Sequence, residues 1–176
     1  MADDSDAIAR IALGIAGALG ATDPGEKAQA RRMDEQGAPL FWRQVARLGI
    51  SPSQEQLWLR FTRMVALLTP ASATESIHQS GRRLGAVLAD GGDAGADLRA
   101  SSRPFLSEQR LARLLASRDE ARLEALERAI RMVGRSRPRL DVVSLARTVM
   151  SAESNALARD YYARIDRSPA REVEHA

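Results

Sequence analysis

The stretch Ser51–Pro70 reads SPSQEQLWLRFTRMVALLTP. Serine followed by proline is a helix opening: a side chain able to cap, then a residue whose fixed φ and missing N–H suit the first turn. Leu57, Phe61, Met64, Val65 and Leu68 recur at i, i+4, i+7, i+8 and i+11. That spacing lines one helical face with large apolar side chains, and such a face must be buried. Pro70 bars continuation. The fold therefore begins from a strongly amphipathic helix, and the same period governs the segments on either side.

Upstream, Ile8, Ile11, Ile15 and Leu19 keep helical spacing within AIARIALGIAGALG (Ala7–Gly20). This segment is too short to span a bilayer, which takes about 20 apolar residues. It follows Asp3, Asp4 and Asp6, where a secretory leader would carry positive charge. It reads as a buried amphipathic helix whose Gly14, Gly17 and Gly20 permit close packing. Residues 26–36 predict a second helix, ended by Gly37 and Pro39; Phe41, Val45 and Leu48 mark a third, ended by Gly49.

Downstream, Ile77, Leu84, Val87 and Leu88 predict a helix over about residues 74–89. DGGDAGAD (Asp90–Asp97) is a loop. Its glycines follow a helix and not a strand, against a phosphate cradle, and its aspartates lack calcium-loop spacing. Ser107 caps a helix with Leu111, Leu114 and Leu115, and a further helix carries Leu123, Leu126, Ile130 and Val133 up to Gly134. SRPR (Ser136–Arg139) is a linker, Asp141 caps a helix with Val142, Leu145 and Val149, and Leu157, Tyr161 and Ile165 mark a last helix near 153–166. No segment alternates with period two. The expectation is an all-α, compact bundle of about eight helices. It divides into an N-terminal helical lobe (1–90), a Gly/Asp-rich loop (91–106) and a C-terminal lobe (107–167), with a disordered tail at 168–176.

Composition narrows the chemistry. The 176 residues are 44% hydrophobic and 28% charged, the signature of a globular protein. With no cysteine there is no disulfide, thiolate nucleophile or cysteine metal site, and His78 and His175 are too far apart in sequence to suggest a zinc site. No nucleophile elbow, HExxH, P-loop or isolated carboxylate pair occurs. Neither an enzyme nor a cofactor is expected, nor a small-molecule substrate or a membrane partner. A cytoplasmic location fits.

Charge is distributed unevenly around a net of +3. Residues 1–30 carry two basic and five acidic side chains (2 − 5 = −3), whereas residues 99–139 carry eleven arginines and five acids (11 − 5 = +6). The segment Arg110–Arg139 alone holds nine arginines and no lysine. Such asymmetry points to an anionic partner. Arg128 and Arg131 each follow a glutamate, Glu124 and Glu127, by four residues, the favourable helix orientation worth about 0.2–0.5 kcal/mol. They are partly neutralised. Arg110 with Arg113, Arg60 with Arg63, Arg82 with Arg83, Arg43 with Arg47, and the cluster Arg135, Arg137 and Arg139 have no such local partner. Arg31 and Arg32 have Asp34 and Glu35 beside them. Guanidinium forks match phosphate oxygens, and without a base-reading motif the expected contacts are to backbone only. Phe41, Phe61 and Tyr161 fall on core stripes; Trp42, Trp58 and Phe105 lie beside them, as core, subunit contacts or stacking platforms.

Seven segments in order then carry a resemblance: AQARRM (28–33), PLFWRQVARLGI (39–50), RMVALL (63–68), RRLGAVLAD (82–90), SEQRLARLLASRD (107–119), RLDVVSLAR (139–147) and ARDYYARI (158–165). Together, over about residues 27–167, they resemble the CasB family, the small subunit of the type I-E CRISPR Cascade complex. The resemblance implies an all-helical, non-catalytic protein paired with a second copy. It would pack against the guide-RNA backbone subunits and the large subunit, near guide RNA and target DNA. There it would help hold the target and displaced strands of an R-loop without reading sequence. It places Arg31, Arg32, Arg63 and Arg110 on basic positions of the family, and Arg147 as well. Two departures are the glycine-rich insert at 91–102 and Val142, which stands where the family carries an aromatic residue. The candidate phosphate contacts are Arg31, Arg32, Arg60, Arg63, Arg82, Arg83, Arg110, Arg113, Arg137 and Arg139. The residues alone also fit two other readings: a free-standing arginine-rich helical binder of nucleic acid, and a structural adaptor whose arginines meet acidic protein surfaces.

Overall fold

The computed structural model describes residues 2–98, 103–151 and 155–167. The expected tail at 168–176 and part of the glycine-rich insert lie outside these. Among the described residues there are nine α-helices and no strand: α1 (Ala2–Ala21), α2 (Pro24–Arg32), α3 (Pro39–Leu48), α4 (Glu55–Leu68), α5 (Leu84–Asp90), α6 (Glu108–Ala116), α7 (Asp119–Val133), α8 (Val142–Met150) and α9 (Asn155–Asp166). Within them no helix is long and apolar enough to cross a membrane.

α4 is the hub. It packs against α1, α2, α3, α7 and α8, so burial extends beyond the expected stripe to Trp58, Leu59 and Ala66. Trp58 stacks edge-on against Phe61, ring centres 5.2 Å apart, deep in the core. It is therefore no stacking platform, unlike Trp42 and Phe105, which stay exposed. Ser51 makes no side-chain cap; a 3-10 turn over Pro52–Gln54 leads into the helix instead. At the other end Arg31 of α2 donates to the carbonyls of Ala66 (3.0 Å) and Thr69 (2.6 Å), and the chain's one lysine, Lys27, donates to Ala73 O at 2.6 Å. Cations near a helix C-terminus satisfy carbonyls that lack intrahelical partners and complement the dipole.

The helix expected over 74–89 shrinks to the seven residues of α5. The stretch before it runs extended alongside Leu140: Gln79 N donates to Leu140 O at 2.8 Å, Leu140 N to Ile77 O at 3.2 Å, and Asp141 N to Arg82 O at 2.8 Å. Gly81 takes φ +76° in the turn that returns Arg82 N to Gln79 O at 3.2 Å. Ile77 is buried all the same, but as part of an extended clamp. Caps at Ser107 and Asp141 form as expected: Ser107 accepts from Arg110 N, and Asp141 from Val143 N and Ser144 N.

α5 and α9 form the closest helix pair. A Cβ on Gly85 would lie 2.4 Å from Leu157 O and 2.7 Å from Tyr161 N, so only hydrogen fits. Tyr161 is fully buried and its hydroxyl donates to Leu106 O at 2.5 Å. Burial, with Glu108 and Tyr162 adding to it, pushes its pKa up to about 12, so it remains a neutral donor. Gly85→Ala is expected to cost about 1–3 kcal/mol by overpacking, measured by denaturant unfolding. A cost within about 0.5 kcal/mol, the range of ordinary surface changes, would mean α9 shifts freely.

The glycine-rich loop after α5 is anchored, not loose. Asp90, whose side chain is fully buried, pairs with Arg82 and Arg164, each at 2.6 Å. Arg164 also donates to the carbonyls of Ala94 (3.0 Å) and Ala96 (2.8 Å), and Gly92 N to Asp90 Oδ1 at 3.0 Å.

Candidate nucleic-acid interface

Glu127 organises one face of the molecule. It lies between Leu123 and Ile130 on the apolar stripe of α7 and is buried, its side chain 9% exposed. A carboxylate there requires cationic partners. It accepts from Arg131 at 2.9 Å on its own helix, and from Arg60 at 3.4 Å and Arg63 by a short contact across from α4. Burial alone would raise its pKa; hydrogen bonds and charge from Arg63 and Arg131 outweigh that and hold the carboxyl below its ordinary value.

One carboxylate cannot neutralise three guanidiniums. Arg60 also meets Glu120, and Arg128 lies 3.5 Å from Glu124 in an exposed pair of little energetic weight. These side chains frame a cavity of about 230 Å³ lined by Arg60, Arg63, Glu124, Glu127, Arg128 and Arg131. Arg60 and Arg63 also border a cavity of about 390 Å³ beside Asp34, Glu35 and Gln36. Arg128 also borders a groove of about 330 Å³ between α6 and α7, with Arg110 and Arg113. The result is a track of six arginines. Against Asp34, Glu35, Glu120, Glu124 and Glu127 its balance is 6 − 5 = +1, with all five acids on the α4 side and none of them lining the α6–α7 groove.

Of the ten candidate arginines, the structure brings Arg60, Arg63, Arg110 and Arg113 together here. It adds Arg128 and Arg131, which local spacing had set aside. Arg31, Arg32, Arg82, Arg83, Arg137 and Arg139 do not line the track's cavities. Arg31 holds the end of α4, as described. Arg32 is exposed and donates to Ala28 O at 3.2 Å. Arg82 holds Asp90; Arg83 is exposed and lies 3.4 Å from Asp160. Arg137 stands exposed at φ +52°, and Arg139 donates to Ser76 O at 3.2 Å.

Several arginines without a partner nearby in sequence thus have one in space. Arg43 pairs with Glu26, Arg47 donates to Gly14 O at 3.3 Å, and Arg60 and Arg63 share Glu127. The signal was present in Glu127 itself, a glutamate at an apolar-stripe position. Arg122 gives the same signal. It is buried on α7 and donates to Ser151 O at 2.6 Å, its pKa lowered by burial and by the charge of Arg118. Among the described residues no group of three or more His, Asp or Glu could hold a metal.

Comparison with known proteins agrees with this architecture. The family model of CRISPR-associated protein Cse2 matches residues 26–166. A search of curated protein sequences returns no match. Among solved structures, a chain in the crystal structure of E. coli Cascade bound to a PAM-containing dsDNA target superposes with a TM-score of 0.62 at 24% identity. The match covers 88% of this chain and 96% of that one. At that identity the match speaks for the fold. The family match, spanning most of α2 to α9, is the stronger finding: the chain belongs to the Cse2 family, also called CasB, the small subunit of type I-E Cascade.

Proposed function

We propose that this chain acts within Cascade as a non-catalytic, sequence-blind holder of nucleic-acid backbone, stabilising the target and displaced strands of an open R-loop. The supporting observation is the surplus of guanidinium along the α4–α6–α7 track, where Glu127 is shared three ways. Arg60, Arg63, Arg110 and Arg113 are the central phosphate contacts, with Arg31, Arg32, Arg82, Arg83, Arg137 and Arg139 as outlying ones. Guide pairing supplies sequence recognition, and the protein supplies charge. The working partners are a second copy, the guide-RNA backbone subunits, the large subunit, guide RNA and target DNA, all in the cytoplasm.

The test reverses Arg110 and Arg113, exposed side chains whose replacement leaves the core untouched. R110E/R113E, assembled into Cascade, is expected to shorten R-loop lifetime while helical content stays the same. The logarithmic salt slope should flatten by about 1.4, two single-strand phosphate contacts at roughly 0.7 each. An unchanged lifetime refutes the assignment.

A further inference from the structure

The groove between α6 and α7 contains more than charge. Its rim is Arg110, Arg113 and Arg128, and no acid among the described residues lines it. Its floor is aliphatic and sulfur: Leu106, Leu114, Ala125, Ala129 and Met132. Arg110 Nη1 lies 3.5 Å from Met132 Sδ, so one guanidinium reaches over that floor. A ligand that offered only phosphates would use the rim and leave the apolar floor in water.

A single strand offers both parts. Its phosphates match the guanidinium forks. Its unstacked bases have flat apolar faces that pack on side chains and stack on guanidinium planes. A duplex keeps its bases paired and stacked, out of reach of such a floor. The charge favours a strand over a docked protein helix: three guanidiniums border a small apolar floor, which suits a phosphate chain, whereas an amphipathic helix docks chiefly through apolar anchors at i, i+3, i+4 and i+7. Arg128 also lines the neighbouring arginine cavity, so a strand leaving the groove meets further cations along its backbone. Among the described residues no side-chain amide, hydroxyl or carboxylate lines the groove to read a base edge.

From this we infer that the α6–α7 groove is a subsite for one unstacked nucleobase of single-stranded nucleic acid, accepted without regard to sequence, with the flanking phosphates on Arg110, Arg113 and Arg128. The inference rests on the backbone-holding reading above and adds a preference for strand over duplex at this place.

The test uses the full-length chain with methyl-labelled methionine, titrated to millimolar strand with a thymidine hexanucleotide or with an abasic hexamer carrying the same phosphates. The Met132 methyl is expected to move by ring current with the thymidine strand only. That strand should bind about tenfold more tightly than the abasic one, as one stacked base implies. Ala125→Leu, which fills the groove, should reduce the thymidine strand to the abasic level. The wild-type comparison decides the matter even if that variant folds poorly. Equal affinity for both strands, with Met132 responding alike, overturns the base subsite and leaves phosphate binding standing. No response to either strand overturns both readings. A response of Met132 to an acidic amphipathic peptide but to neither strand overturns the inference and gives the groove to a protein partner.

Discussion

Asp90→Ala is expected to destabilise the protein by about 3–5 kcal/mol, the usual result of removing one partner from a buried ionic cluster. The reason is geometric. Asp90 sits at the C-terminal end of α5, where a negative charge opposes the helix dipole, and its side chain has no exposed surface. Arg82 and Arg164 offset both penalties. Without the carboxylate, two guanidiniums 12% and 11% exposed face each other with no counter-charge. The loss also reaches the loop after α5, because Arg164 holds both Asp90 and the carbonyls of Ala94 and Ala96. For a chain of this size the shift in Tm is on the order of 10 °C. Thermal unfolding of Asp90→Ala and Asp90→Asn measures it. A change within about 0.5 kcal/mol, the range of ordinary surface substitutions, would show that the cluster adds nothing to stability.

Glu127→Gln is expected to move stability and binding in opposite directions. The amide keeps one accepting oxygen but loses the charge and the second acceptor, so Arg60, Arg63 and Arg131 lose their shared counter-charge, at a cost of about 1–3 kcal/mol. The same change adds one net positive charge to the track and loosens the hold on Arg63 and Arg131, while Arg60 keeps Glu120. Strand binding should tighten, and the logarithmic salt slope should steepen by about 0.7–0.9. The pH dependence identifies the residue. The folded carboxyl titrates below its ordinary value of 4.5. Its contribution is therefore complete above 4.5 and is lost as pH falls through the folded pKa. Glu127→Gln should lack that part of the acid sensitivity. Weaker strand binding in this variant would mean that Glu127 chiefly positions the arginines and does not compete with phosphate for them.

Stripes and caps are local, so α4, α6, α7 and α8 appear in the spacing of their leucines and valines and in Ser107 and Asp141. The segment before α5 carries a weak helical pattern but runs extended, because its backbone bonds go to Leu140 and Asp141, about sixty residues on, and a distant backbone pair outweighs that pattern. The arginines follow the same rule. Arg60 meets its carboxylates 60 and 67 positions away, beyond any window of helical spacing. Counting acids within one turn thus made Arg60 and Arg63 look freer, and Arg128 and Arg131 more neutral, than their surroundings make them. Trp58 was ambiguous between core and platform because α4 is covered on nearly every side, which a single apolar stripe does not announce.

The pairing of the first helix with the eighth, and of the fifth with the ninth, has a consequence for how the protein is made. Arg147 on α8 reaches Ser5 on α1, 142 residues earlier, and Gly85 on α5 has its close packing only once α9 is present. A chain emerging from the ribosome can cover part of α1 with α3 and α4, but the side of α1 that meets α8 stays open until α8 has been translated, and the side of α5 that meets α9 until α9 has been. Such long-range closure slows folding. The subunit reaches its working shape only after α9 has been made, and a nascent chain stalled before α8 would be the form most prone to aggregate.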